Sequence, residues 1–190
     1  MKIEESEKGR EPMTDSLWRS TLAPIRAWLA ALAPPERERA RRMASEIGER
    51  LEWLDAPMAE HCRVTCPECD DPCCAGLRVF YNQADLIYLS ALGETLPPGQ
   101  TRRSPTEDCR YLSREGCGIP RIHRPYVCVW FLCEPQLAML SRDPPLFQRR
   151  FIAVLGEIRT LRLQLETWFE SGWTPETASL SGRKPGRGGR

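Results

Sequence analysis

The chain has 190 residues, nine cysteines and a formal net charge of +1 at pH 7. This length is sufficient for a hydrophobic core, and the small net charge creates no global field that would attract nucleic acid or a membrane surface. No apolar stretch approaches the roughly 18 to 20 residues that cross a bilayer, and the acidic start MKIEESEKGREPMTD does not resemble a signal peptide. We therefore expect a cytoplasmic protein that binds neither nucleic acid nor membrane.

Both ends of the chain have compositions that disfavour a packed core. Residues 1–14 are polar and charged, and residues 171–190 end in the basic, glycine-rich sequence GRKPGRGGR. Such segments bury too little apolar surface to offset the entropy of ordering. The sequence therefore predicts disordered termini around a single helical domain over 15–170, which contains a cysteine-cluster module over 61–133.

The domain is predicted to begin with helices. Apolar residues recur at helical spacing from Leu17 to Leu32, and Pro24 predicts a kink or a break into two short helices. The following segment, PERERARRMASEIGERLEWL, combines an apolar stripe with Glu and Arg side chains that can pair four positions apart. Both segments are expected to contribute to the core.

Further elements are predicted downstream. GLRVFYN indicates a short strand or extended segment, and LPPGQTRRSPTED has the composition of a loop. Between them, a helix is expected to begin at Asn82 as N-cap, with Asp85 at its third position. The last helix has one apolar face from Phe147 to Phe169. The predicted fold class is mainly α, with helices flanking a loop-rich, cysteine-rich metal-binding insert that has little β structure.

All nine cysteines fall into two clusters in the middle of the chain. The first cluster contains Cys62, Cys66, Cys69, Cys73 and Cys74, and the second contains Cys109, Cys117, Cys128 and Cys133. Because a reducing compartment keeps thiols unpaired, we interpret them as metal ligands or redox centres rather than disulfides. The Cys66-x-x-Cys69 spacing lets one turn direct two sulfurs to one ion, as in zinc and iron–sulfur sites.

The number of thiols exceeds the four ligands of a zinc site or an ordinary iron–sulfur cluster. Adjacent Cys73 and Cys74 would point to opposite sides of an extended segment, so they could serve different metals, or one could bind while the other packs or reacts. Two ions, a multinuclear centre and spare cysteines are all compatible with the sequence.

The second cluster lies in a segment with excess positive charge. Its charged residues are Arg110, Arg114, Glu115, Arg121 and Arg124. This excess fits compensation of bound thiolates, although a solvated basic loop would have the same composition. Two histidines, His61 and His123, could supply a nitrogen ligand or a proton, the alternative for each being an ordinary surface or loop position.

These residues resemble a bacterial and archaeal family of zinc- or iron-chelating cysteine-cluster proteins, characterised by CxxCxxCC and a later C…GC-x-I…RP-x-x-C-x-x-F segment. Here the first motif is CPECDDPCC, one residue longer in its last interval, and the second comprises Cys109, GCGI at 116–119 and RPYVCVWF at 124–131. Pro120 stands where the family has tyrosine, and the interval from Cys117 to Arg124 is one residue longer. The resemblance covers residues 62–133. It implies metal or iron–sulfur binding rather than a particular reaction.

A similar module occurs in flagellin lysine methylases, but this sequence has no GxGxxG loop to hold a methyl donor. We expect the two clusters to bind an iron–sulfur cluster or iron, or alternatively zinc. The metal ligands expected first are Cys66, Cys69, Cys73, Cys117 and Cys128. Those expected next are Cys74, Cys109 and Cys62.

Each metal implies a different class of function. An iron centre would support electron transfer or modifying chemistry on a protein partner or substrate, whereas zinc would be the structural centre of an interaction module. A metal-free thiol enzyme that uses Cys73 or Cys74 with His123 is a third alternative. The sequence specifies no substrate, reaction or oligomeric state.

Overall fold

The computed structural model describes residues 15–67, 69–70, 79–102, 107–113 and 116–172. Most of both predicted disordered termini, and Cys73 and Cys74 of the first cluster, lie outside the described residues. Ser171 and Gly172, which the sequence assigned to the tail, belong to the last helix.

The described part of the chain is mainly helical, which confirms the mainly α part of the predicted fold class. Its helices are α1 (Asp15–Ala31), α2 (Pro34–Thr65), α3 (Gln83–Leu92), α4 (Val127–Trp130), α5 (Glu134–Leu140) and α6 (Pro145–Gly172). A 3₁₀ turn spans Arg121–His123. The two-residue strands β1 (Leu112–Ser113) and β2 (Gly116–Cys117) pair antiparallel, with Leu112 opposite Cys117. The metal-binding character of the insert stays a prediction.

Helix α1 is continuous through Pro24, so the break that this proline predicted does not occur. An interior proline costs roughly 3 kcal/mol. Leu22 and Ile25, on either side of it, are both buried, and burial of each such side chain stabilises the fold by about 1.5 to 3 kcal/mol. Packing of one helix face therefore outweighs the lost backbone hydrogen bond.

Helix α2 continues past Leu54 to Thr65, so His61 and Cys62 lie on a helix rather than in a loop-rich insert. The first residues of the predicted cysteine module over 61–133 are therefore helical. The reason is that the buried stripe of α2 extends through Met58 and His61, beyond the segment whose periodicity was used for the prediction.

Helix α3 begins as the sequence predicts. The Asn82 side-chain oxygen accepts a hydrogen bond from the Asp85 amide at 2.9 Å, and an Asp85 carboxylate oxygen accepts one from the Asn82 amide at 2.9 Å. This reciprocal capping box fixes the N-terminus. The helix ends at Gly93, whose φ of 78° lies in the left-handed region that glycine adopts without strain. Val79 and Phe80, the described part of the predicted extended segment before Tyr81, form no strand.

Buried side chains of α1, α2, α3 and α6 form one hydrophobic cluster. Helix α3 is central, since it contacts α1, α2 and α6. The predicted apolar face of α6 is confirmed by buried Phe151, Val154, Ile158 and Leu165. None of the helices within the described ranges has the length and apolar character needed to cross a membrane.

Candidate metal centre

The C-terminal end of α2 carries the start of the first cysteine cluster. Cys62 is partly buried on the helix, whereas Cys66 directly follows it and is exposed, as is Cys69. The Cys66 amide donates to the Cys62 carbonyl at 2.9 Å, and the Cys69 amide donates to the Cys66 carbonyl at 3.2 Å. The Cys66-x-x-Cys69 pair is therefore held in a tight turn, the local geometry in which such pairs bind metal ions.

The second cysteine segment packs against the same end of α2. Arg121, in the 3₁₀ turn, donates from Nε to the Asp55 carboxylate of α2 at 2.9 Å. Gln136, on α5, is buried and donates from Nε2 to the Cys62 sulfur at 3.5 Å. The structure thus places both flanks of Cys128 beside the helix end from which the first cluster continues.

Cys117 and Cys128 both lie near the buried phenol of Tyr81. Burial raises the pKa of Tyr81, and the neighbouring Tyr111, Asp85, Cys128 and Cys117 raise it further. The Tyr81 hydroxyl donates to the carbonyl of His123 at 2.6 Å. His123 lies between Cys117 and Cys128 in the sequence, and both of these thiols are partly buried.

Hydrogen bonds hold the chain that leaves the first cluster. The Gln100 side chain accepts from the Tyr81 amide at 2.8 Å and donates to the Tyr81 carbonyl at 3.0 Å, so a side-chain amide replaces a strand partner. The Thr101 hydroxyl donates to the carbonyl of Val79. Because Gln100 and Thr101 are buried, these contacts fix the backbone just before α3.

The hydrogen bonds of this region continue into the second cluster. The Arg110 amide donates to the Thr101 carbonyl at 2.7 Å, and the Gly118 amide donates to the Tyr111 carbonyl at 2.8 Å. Each of these two donors directly follows a cysteine of the second cluster. The backbone at Cys109 is therefore tied to Thr101, and that at Cys117 is tied to Tyr111, whose hydroxyl donates to the Gly99 carbonyl at 2.6 Å.

The local charge at Arg121 is positive. Its side chain is 3% exposed, so the alternative of a solvated basic loop does not hold at this position. Burial lowers the pKa of Arg121 and nearby Arg124 lowers it further, whereas Asp55 and Cys62 act in the opposite direction. Asp55 is the ion-pair partner of Arg121 in the described part of the chain, and its side chain is 54% exposed. Solvent therefore screens much of the compensation that Asp55 provides.

The two histidines are engaged by carboxylates. His61 is buried on α2 with its Nε2 3.6 Å from the Asp143 carboxylate, so the surface-position alternative is wrong for it. Its Nδ1 is buried and has no hydrogen-bond partner among the described residues. His123 Nε2 lies 2.6 Å from the Glu94 carboxylate, which ties the 3₁₀ turn to the loop after α3.

The described cysteines do not complete a ligand set. Among residues whose positions the structure gives, no group of three or more His, Cys, Asp or Glu side chains is arranged to hold a metal ion. Cys117 and Cys128 both raise the pKa of Tyr81, and Cys62 accepts a hydrogen bond from Gln136, whereas Cys66 and Cys69 are exposed. Cys133, the N-cap of α5, is also partly buried.

Sequence analysis did not identify several residues that hold this region together, namely Asp55, Tyr81, Gln136 and Arg162. One of them carries a recognisable signal. Arg162 is a buried cation on the apolar face of α6, between Ile158 and Leu165. A charged residue in such a stripe indicates a buried partner, because an unpaired charge in the core is strongly unfavourable.

Comparison of the chain with family models, with curated proteins and with solved structures finds no match in any of the three.

Proposed function

We propose that the chain binds a metal centre through both cysteine clusters, as an iron–sulfur cluster or an iron centre. The observation that carries this proposal is the packing of the second cysteine segment against the C-terminal end of α2. Gln136 contacts the Cys62 sulfur there, and Arg121 pairs with Asp55 of α2, about three helical turns before Cys66. Thiolates are soft ligands that suit iron–sulfur clusters and zinc.

The ligands would come from both segments. From the first segment they would be Cys62, Cys66, Cys69, Cys73 and Cys74, and from the second Cys109, Cys117 and Cys128. Exposure of Cys66 and Cys69 leaves both thiols accessible to an incoming metal. When bound, an iron–sulfur cluster supplies one-electron transfer, and the residues around it control its potential through hydrogen bonds and charge.

The electrostatics support an anionic occupant. Several coordinated thiolates leave net negative charge on a metal centre, which the protein must balance. Arg124 lowers the pKa of Arg121, whereas Cys62 favours the charged form of Arg121. A thiolate-rich centre at the end of α2 would relieve this repulsion, which the exposed Asp55 screens only in part.

The second candidate function is a structural zinc centre in a protein-interaction module. It is favoured by three exposed apolar side chains on the elements that carry or follow the cysteines: Val64 on α2, Trp130 on α4 and Leu137 on α5. Exposed apolar side chains on these elements are available to contact a partner protein. In either case we propose a reducing, cytoplasmic setting and a protein partner.

Anaerobic purification followed by absorption spectroscopy and analysis of iron, zinc and acid-labile sulfide tests the proposal. A coloured protein that contains iron and sulfide supports the cluster, and a colourless protein with stoichiometric zinc supports the structural alternative. A chain that neither contains metal after anaerobic purification nor takes it up on reconstitution would refute metal binding. Retention of a thiol-dependent activity after complete chelation would favour a metal-free thiol enzyme instead.

A further inference from the structure

A buried ion pair lies beside the turn that presents Cys128. Arg162 on α6 donates from Nη2 to Oδ1 of Asp85 on α3 at 2.8 Å, and the two side chains are 7% and 2% exposed. Two charges leave water at high cost, so a pair of this kind persists only when its remaining hydrogen-bonding groups are also satisfied. The surroundings of Asp85 meet this condition.

The Asp85 carboxylate accepts two backbone hydrogen bonds as well. Its Oδ2 accepts from the Asn82 amide at 2.9 Å, which belongs to the capping box of α3. Its Oδ1 accepts from the amide of Tyr126 at 2.9 Å. Arg162 also reaches the Asn82 side-chain oxygen at 3.2 Å and lies over the Tyr126 ring, 4.8 Å from its centroid. Asp85 therefore joins α3, α6 and the residue that precedes α4.

Tyr126 is the N-cap of α4, the single turn that carries Cys128. The Tyr126 carbonyl accepts from the Val129 amide at 2.9 Å, and the Cys128 amide donates to the Pro125 carbonyl at 2.9 Å. The side chain of Tyr126 is also held, because its hydroxyl donates to the Leu155 carbonyl of α6 at 2.7 Å. One helical turn does not define its own position in water, so its orientation must come from contacts such as these.

We propose that Asp85 is a positioning residue for Cys128, holding the Tyr126 amide so that the thiol points toward the rest of the ligand set. This inference rests on the proposed function, because it assigns Asp85 a role in metal binding through that cysteine. Arg162 holds the buried carboxylate in place, because its Nη2 lies 2.8 Å from Oδ1, the same oxygen that accepts from the Tyr126 amide. Hydrogen-bonding groups that orient metal ligands typically change metal affinity by 10 to 100-fold when they are replaced.

The alternative is that the ion pair only stabilises the helices. Asp85→Glu separates the two roles, because it keeps the negative charge beside Arg162 but displaces the acceptor oxygens by one methylene. Asp85→Asn removes the charge and one of the two acceptors. Glu157→Gln is the matched control, since it breaks another pair that involves α6, Arg50–Glu157 at 2.7 Å, without contact to Tyr126.

The experiment is an anaerobic titration of the full-length protein with Co²⁺, whose thiolate bands report both affinity and ligand geometry. Hydrogen exchange at the Tyr126 amide is measured on the metal-free protein. We expect Asp85→Glu and Asp85→Asn to weaken Co²⁺ binding by about 10 to 100-fold, to shift the thiolate bands and to accelerate exchange at Tyr126. The control should match the wild type in all three readouts.

Wild-type affinity and bands in folded Asp85→Glu would overturn the positioning role while leaving the proposed function intact. Equal losses in Asp85→Glu and Glu157→Gln would overturn it as well, because the effect would then follow helix stability. If the wild-type chain binds no Co²⁺, the proposed function fails, and the exchange rate at Tyr126 still shows whether Asp85 holds that amide. Should Asp85→Asn fail to fold, Asp85→Glu carries the test because it retains the ion pair.

Discussion

Tyr81 and Tyr88 are both fully buried, but their hydroxyl groups differ in hydrogen bonding. This difference predicts different effects of substitution by phenylalanine on the stability of the protein. The Tyr81 hydroxyl donates to the His123 carbonyl at 2.6 Å. The Tyr88 hydroxyl is buried and has no hydrogen-bond partner among the described residues. Replacement of either residue by phenylalanine removes only the oxygen and retains the ring, including the edge-to-face contact of Tyr81 with Trp18 at 5.0 Å.

The magnitudes follow from the hydrogen bonds. A typical intramolecular hydrogen bond contributes about 0.5 to 1.5 kcal/mol net, and a buried polar group left unpaired costs about 1 to 3 kcal/mol. Tyr81→Phe should therefore lower the free energy of unfolding by about 1 to 2 kcal/mol. Tyr88→Phe removes an unpaired buried hydroxyl, so it should leave the stability unchanged or raise it by up to about 1 kcal/mol.

Urea denaturation and thermal unfolding, both followed by far-ultraviolet circular dichroism, measure the difference. In a protein of this size 1 kcal/mol corresponds to a shift in Tm of roughly 2 to 4 °C. The free energies of unfolding of the two variants should therefore differ by about 1 to 3 kcal/mol, and their Tm values by roughly 2 to 12 °C, with Tyr88→Phe the more stable. If Tyr88→Phe destabilised the protein as much as Tyr81→Phe, the hydrogen-bond reasoning would be refuted.

Further predictions concern pH and helix ends. Burial raises the pKa of both Tyr81 and Tyr88, so stability should fall as pH rises above about 10, where the unfolded tyrosines ionise; phenolate absorbance that appeared well before unfolding would contradict this. A hydrogen bond from Arg50 lowers the pKa of Glu157, so its stabilisation should disappear as pH falls below about 4.3. Acid unfolding curves of Glu157→Gln should lack that component. Gly93→Ala should lower the free energy of unfolding by about 1 kcal/mol because φ is 78° there. Gly156→Ala, which adds a methyl group into open space on a helix, should raise it by roughly 0.5 to 1 kcal/mol. Equal effects in chemical denaturation would contradict the assignment of Gly93 as a left-handed cap.

Local signals in the sequence were sufficient to predict several helices. The capping box at Asn82 and Asp85 and the apolar face of α6 are encoded within a few residues, and the structure confirms both. The break at Pro24 was wrong because burial of the surrounding side chains depends on the whole core, which a local proline rule does not include. Helix α2 extends past the segment used for the prediction for a similar reason, since Met58 and His61 continue its buried stripe.

The candidate site was predictable in part. Spacing identified the two cysteine clusters, but the contacts between them depend on tertiary structure. The Asp85 to Tyr126 hydrogen bond joins residues far apart in the chain, and the sequence indicates Asp85 only as a capping residue. Arg162 shows that a charge within an apolar stripe reports a buried partner, although the sequence does not name that partner.

Metal content of matched cysteine variants tests the central claim most directly. Cys69→Ser removes a sulfur from the first cluster, Cys128→Ser removes one from the second, and Cys133→Ser is a control outside the expected ligand set. If both clusters bind one centre, each of the first two variants should lose metal and thermal stability together, because metal binding stabilises the folded site. The control should retain both. Wild-type metal stoichiometry in both Cys69→Ser and Cys128→Ser would contradict the account.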